Sequence, residues 1–229
     1  MSRQAEGGSM QGVFITGTAS GVGKTFISCG VANALRQAGV AVCARKPIEQ
    51  RCKRKGGALY PTDGLALAQA AGNIESIDRV TTYRMAGMIS PAQTAETEKG
   101  AVDMATLMRA IEAGNADSFR VVEGAGGFLS PFAVDASNAD IAVALGFPVI
   151  VVTSDQPGCI NHVRLTVEAI QQRGLAVAAV VVNVPDPDTE GAGSYRDDLA
   201  ALLDIPVIAH SHGRGDWDAT TELARLVRP

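Results

Sequence analysis

The sequence predicts a single α/β domain with a mostly parallel central sheet and helices on both faces. Short, almost purely apolar runs alternate with amphipathic segments along the chain, as expected of strands covered on both sides and joined by right-handed crossover helices. A glycine-rich stretch, Gly17-Thr18-Ala19-Ser20-Gly21-Val22-Gly23-Lys24-Thr25, separates the first such strand from the first such helix. No repeat, linker or break in composition divides the 229 residues. The expected organisation is therefore one domain over 10–229, preceded at 1–9 by a disordered tail or a cloning remnant.

The first strand is Gly12-Val13-Phe14-Ile15, and the first helix carries Phe26, Ile27, Val31, Ala32 and Leu35. A strand, a glycine-rich loop and Lys-Thr opening a helix together read as a phosphate-binding loop. The first turn of a helix has N–H groups without partners, and glycines let the backbone fold around an anion. Gly17, Thr18, Gly21, Val22 and Gly23 form that cradle. Lys24 is placed to reach the terminal phosphates of a nucleotide, and the Thr25 hydroxyl to ligate the Mg²⁺ that bridges them. The strict spacing wants glycine six residues before the lysine, where Thr18 stands; Gly17 lies one position earlier.

Gly39 ends the helix, and Val40–Ala44 reads as a strand with Arg45-Lys46-Pro47 at its carboxyl end. Ligands of open α/β sheets gather at strand carboxyl ends, so Lys46 is a second phosphate-contacting candidate. A charged, glycine-containing loop runs to Tyr60-Pro61. Its basic run, Arg51-Cys52-Lys53-Arg54-Lys55, is either a solvated turn or a rim that attracts anions. Thr62 is read as the cap of a short helix with Asp63 in its first turn, where the acid serves the helix dipole or ligates Mg²⁺. The segment 81–100, with Ile89-Ser90-Pro91, is read as a substrate loop followed by a short helix. Asp103 caps a helix carrying Leu107, Met108 and Ile111.

Phe119–Glu123 is a strand ending in a carboxylate, the form of a second Mg²⁺-holding motif, and Gly124, Gly126 and Gly127 then allow close backbone approach to a ligand. A helix begins at Ser137 or Asn138, and Pro148–Thr153 is an apolar strand. Gly158, Cys159, Ile160 and Asn161 open a helix whose exposed N–H groups could take a carboxylate. Val177–Val182 ends at Asn183, an amide suited to a purine edge and equally common in turns. A helix around Tyr195–Leu203, a strand at Pro206–Ala209 and a terminal helix at Asp216–Val227 complete the chain.

Composition narrows the function. Hydrophobic residues make up 46% and charged residues 19%, which fits a core burying roughly 70–75% of the unfolded surface. The net charge of −4 without a basic face argues against nucleic acid. No apolar run spans a membrane and no signal peptide opens the chain, so no membrane partner is expected. Four cysteines without a C-x-x-C pair read as reduced and cytoplasmic. His210 and His212 lack companion ligands, so no structural zinc is expected.

These segments, in order, resemble the dethiobiotin synthetase family. They are Phe14–Thr18 with Val22–Thr25, Arg45-Lys46-Pro47, Thr62-Asp63 with Leu65–Leu67, Val122–Gly127, Gly158–His162 with Leu165-Thr166, and Val182-Asn183. The extra residue in the loop is itself a feature of that family. The resemblance implies a P-loop NTPase fold and an ATP- and Mg²⁺-dependent ligase. In that family one amine of 7,8-diaminopelargonate takes up CO₂, the carbamate accepts the γ-phosphoryl group, and the second amine closes the cyclic urea of dethiobiotin. It implies Lys24 and Lys46 as catalytic lysines and Thr25, Asp63 and Glu123 as metal ligands. Lys46, Ser90, Gly124, Gly126 and Gly158–Asn161 would contact substrate, across a homodimer interface in the last case, and Asn183 would contact adenine. The chain departs from the family at Ala19, Gln50-Arg51, Ala92 and Pro157, near the phosphates and the diamine.

Other readings stay open at this point. Ser20–Thr25 is similar to the loop of partition-type ATPase switches, although Ala19 stands where their signature lysine belongs. An amidoligase would need an ammonia source for which the chain has no room. A nucleotide-binding relative with another substrate, or without turnover, is the remaining alternative.

Overall fold

Six parallel strands form the central sheet of the computed structural model, which describes residues 10–87, 102–184, 194–211 and 217–228. Their spatial order is β10 (Val207–Ser211), β9 (Val177–Val184), β8 (Val149–Ser154), β1 (Gly12–Gly17), β7 (Phe119–Gly127) and β2 (Val42–Arg45). Successive side chains of these strands enter two separate cores. Phe14, Val122, Val151 and Val180 pack under α4 (Met104–Glu112), α5 (Asn138–Leu145), α6 (Cys159–Gln171) and α7 (Ser194–Leu202). Ile15, Val121, Ile150 and Val181 pack under α1 (Lys24–Gln37), α2 (Thr62–Ala70), α3 (Ile77–Val80) and α8 (Trp217–Val227). The near-continuous apolar runs follow from burial on both faces, each full-length aliphatic side chain contributing about 1.5–3 kcal/mol.

The predicted fold class stands, and local details differ. The second strand begins at Val42, two residues later than expected, because the amides of Gly39 and Val40 bond back to Arg36 and Leu35 and finish α1. The charged stretch read as a loop contains a hairpin, β4 (Lys53–Lys55) against β5 (Ala58–Tyr60), turned by Gly56-Gly57 with φ of 59° and 85°. Two positive-φ glycines make the two-residue turn that a hairpin favours. A second small sheet pairs β3 (Ile48–Glu49) in parallel with β6 (Tyr83–Arg84).

Thr62 is not a helix cap. It is the first residue of α2, Pro61 occupies the cap position, and no side chain of either caps the helix. Asp103 does cap α4, accepting from the Thr106 amide, and Ser137 caps α5 in a reciprocal box with Asp140. The glycines after Glu123 continue β7 as far as Gly127, opposite Gly17. The 1–9 tail, Ser90, Ala92 and the expected helix start at Asp216 lie outside the described residues. No helix among the described residues is long and apolar enough to cross a membrane.

Candidate functional site

The sheet order sets β7 between β1 and β2, so the loop after β1, Glu123 within β7 and Lys46 just after β2 are brought together. The loop is anchored at both ends. Thr18 donates its amide to Val152 O at 2.9 Å, and its hydroxyl lies 3.1 Å from that of Thr153. Gly23 has φ of 97°, and a Cβ there would stand 2.3 Å from Asn183 Nδ2. Only glycine admits both the conformation and the contact. Asn183 donates to Val22 O at 3.2 Å, and its Oδ1 is buried without a hydrogen-bond partner. One of its two N–H donors is thus committed to the loop, and its acceptor oxygen is open.

Around the start of α1, four predicted site residues converge. Thr25 Oγ1 lies 2.7 Å from Glu123 Oε1 and 3.2 Å from Asp63 Oδ2, and its single proton serves one carboxylate at a time. Lys46 Nζ lies 2.5 Å from Glu123 Oε1, 3.3 Å from Asp63 Oδ2 and 3.3 Å from Thr25 Oγ1. Burial works to lower the Lys46 ammonium, but the charges of Glu123 and Asp63 outweigh it and hold its pKa above the usual value. Lys24 turns back onto Ala19 O at 2.9 Å. Its burial, with Lys46 adding like-charge repulsion and Glu123 and Asp63 opposing, brings its pKa down to about 8. Burial, then Glu123 and Asp63, push the neighbouring Cys29 thiol up to about 12, so it stays protonated.

This donor set fits a divalent hard cation. Glu123 is 1% exposed, and its second oxygen, Oε2, is buried without a partner. Among the described residues no three His, Cys, Asp or Glu side chains form a metal cage. A cation here would take Glu123, Asp63 and the Thr25 hydroxyl, hard oxygen donors of the kind Mg²⁺ prefers.

Gly124 and Gly126 follow in β7, held by a residue whose role the sequence did not disclose. Asn138, fully buried, donates to Ala125 O, Gly127 O and Ser130 O and accepts from the Ala125 amide. A second such residue is Glu49 of β3, 5% exposed, which accepts from the amides of Asp63 at 3.0 Å and Gly64 at 2.8 Å. Burial, with the Asp63 charge beside it, leaves its pKa above the usual carboxylate value although those two bonds work to lower it. Gly158–Asn161 lie apart from this cluster, at the start of α6 after β8. Cys159 is buried there and Asn161 is exposed. A cavity of about 300 Å³ lies between the loop and α6, lined by Thr18, Gly127–Ser130, Leu165 and Thr166. A larger one of about 550 Å³ opens beside Thr25, bounded by Phe26, Cys29, Gln69 and His210.

A family model described as an AAA domain matches residues 11–212. The ATP-dependent dethiobiotin synthetase BioD of Anaeromyxobacter dehalogenans (strain 2CP-C) is 39% identical over 214 residues, covering 87% of this chain and 93% of that protein. The protein of the same name from Pseudomonas paraeruginosa (strain DSM 24068 / PA7) is 35% identical over 224 residues, covering 96% and 98%. Among solved structures, the septum site-determining protein MinD with Mg-ADP from Pyrococcus horikoshii OT3 superposes with a TM-score of 0.53 at 16% identity, covering 93% of this chain and 86% of that one. The last likeness is one of fold.

Proposed function

The chain belongs to the ATP-dependent dethiobiotin synthetase family, and from that premise we propose that it joins CO₂ to 7,8-diaminopelargonate and closes the cyclic urea of dethiobiotin at the expense of ATP. The observation that carries this reading is the convergence of Thr25, Lys46, Asp63 and Glu123 beside Lys24 and the phosphate loop.

One amine of the diamine attacks CO₂ and loses a proton, giving a carbamate. A carbamate oxygen then attacks the γ-phosphorus, ADP leaves, and a carbamic–phosphoric anhydride remains. The second amine attacks the carbonyl carbon, expels phosphate and loses a proton as the ring closes. Lys24 and the loop amides hold the phosphate oxygens, and Lys46 offsets negative charge on the migrating phosphoryl group. Thr25, Asp63 and Glu123 would hold Mg²⁺, which when bound would neutralise charge on the phosphate oxygens. Once ATP draws Lys24 away from Ala19 O, its ammonium is free to follow the phosphoryl group. Gly124 and Gly126 present backbone to the substrate, and Asn138 keeps that backbone in place.

The remaining assignments belong to the same reading. Gly158–Asn161 receive the substrate carboxylate from a second copy of the chain, and Ser90 contacts the diamine. Leu129 and Leu165, 57% and 58% exposed, flank the smaller cavity and support a homodimer there. Asn183 Oδ1 accepts from the adenine amino group. The four free cysteines support a reducing, cytoplasmic setting.

Phosphate release and product mass with ATP, Mg²⁺, bicarbonate and diamine, each omitted in turn, test the proposal. A product heavier than the diamine by one carbonyl and lighter by two hydrogens, formed with diamine-dependent phosphate, is the expected result. Diamine-independent hydrolysis would overturn it and favour a nucleotide switch.

A further inference from the structure

We infer that Glu49 is a positioning residue for the metal site, fixing Asp63 through its backbone while Lys46, three residues earlier, engages the same residue through its side chain. The inference rests on reading Asp63 as a metal ligand.

The start of α2 poses a problem that its own residues do not solve. Pro61 at the cap position has no side-chain acceptor, and Thr62 makes no capping bond. An acid in the first helical turn ordinarily turns toward those unpaired amides and the positive end of the helix. Asp63 instead extends its carboxylate away, to Thr25 Oγ1 and Lys46 Nζ. The acceptor comes from Glu49, which gives one oxygen to the Asp63 amide and the other to the Gly64 amide. Glu49 thereby does the capping that would otherwise hold the Asp63 carboxylate back.

Two further features fit this division of labour. Glu49 is itself fixed by β3, with its carbonyl taken by the Met85 amide at 2.9 Å and its side chain enclosed. Gly64 leaves room for the approach: a Cβ there would stand 1.9 Å from Thr81 Oγ1, 3.0 Å from Thr81 Cβ and 3.3 Å from Glu49 Oε2. Side-chain bulk at that position would lever the helix start away from Glu49.

Binding of Mn²⁺ to the ADP-loaded protein, read by electron paramagnetic resonance, tests this without turnover. Glu49→Gln keeps the size but puts an amide donor against a backbone donor. It should weaken Mn²⁺ by about ten- to a hundredfold, the usual range for groups that support a ligand, with metal-free ADP affinity changed by less than about twofold. Gly64→Ala should reproduce the defect from the helix side and Gly64→Ala/Thr81→Ala relieve it, which also covers a Glu49 variant that fails to fold. Unaltered Mn²⁺ affinity in folded Glu49→Gln, alongside its loss in Asp63→Asn, would overturn the role of Glu49 alone. Unaltered affinity in Asp63→Asn would overturn the metal reading and this inference with it.

Discussion

The Lys46 ammonium stands 2.5 Å from Oε1 of Glu123, while Oε2 of the same carboxylate is buried without a hydrogen-bond partner. The pair is thus half satisfied, with one oxygen held by a lysine and the other without a partner. Lys46→Ala would strand a carboxylate that is 1% exposed. We expect a loss of about 3–5 kcal/mol in metal-free denaturant unfolding, the usual cost of removing one partner of a buried pair. Turnover should fall by orders of magnitude. Stability equal to wild type would show that the pair contributes nothing.

Lys24 titrates at about 8 instead of the usual 10.5, chiefly because it is buried. Between those values the unfolded chain holds a proton that the folded chain has released, so this group makes stability rise as pH rises from 8 to 10.5. Below 8 the lysine is charged in both states and its full penalty applies. Lys24→Met should flatten that rise in unfolding curves. An arriving triphosphate favours the ammonium, so ATP binding in this window should take up a proton. Calorimetry in two buffers of different ionisation enthalpy reads that uptake.

Arg45 is fully buried and meets Glu75 at 2.5 and 2.9 Å, with its remaining donors on backbone carbonyls of β2 and the end of α4. Burial works to raise the Glu75 pKa, but the hydrogen bond and charge of Arg45 bring it below 4.5. A depressed carboxylate contributes stability above its unfolded value and loses it as pH falls. Glu75→Ala should therefore cost about 3–5 kcal/mol at neutral pH and remove part of the acid sensitivity. Turnover per folded molecule should be unchanged, because Glu75 touches no residue of the cluster.

Asn138→Asp would replace an amide NH₂ donor shared by three carbonyls with a carboxylate oxygen. The expected result is a loss of several kcal/mol that grows as pH rises and the acid ionises, well beyond the cost of about 1–3 kcal/mol for one unsatisfied group. Thermal unfolding across pH checks it.

The sequence made legible what rests on local pattern. The continuous apolar runs of Val13–Ile15 and Val177–Val182, the loop at Gly17–Thr25, and the caps Asp103 and Ser137 each lie within a few residues of what they determine. Lys46, Asp63 and Glu123 were visible as polar residues at strand or helix ends. Glu49 was not, because the amides it caps lie 14 and 15 residues further on and β3 is two residues long, too short for a strand period to register. Asn138 was visible as a helix start, but its partners reach back to Ala125, 13 residues away. The β4–β5 hairpin was hidden by charge: Lys53–Lys55 is exposed throughout and offers no apolar face.

The sheet order has a consequence for synthesis on the ribosome. Strands β1 and β2 are neighbours in the chain but not in the sheet, since β7 must lie between them. A nascent chain that has emerged through residue 118 already carries the phosphate loop and Lys46, yet it has a strand-wide gap where Glu123 belongs. Thr25 waits 98 residues for its carboxylate partner. At about 5–20 residues per second that interval lasts about 5–20 s, with both edges of β1 and the β7-facing edge of β2 uncovered. The order in which this chain is made therefore leaves these edges open while the phosphate loop still lacks Glu123 and its later anchors, Val152, Thr153 and Asn183.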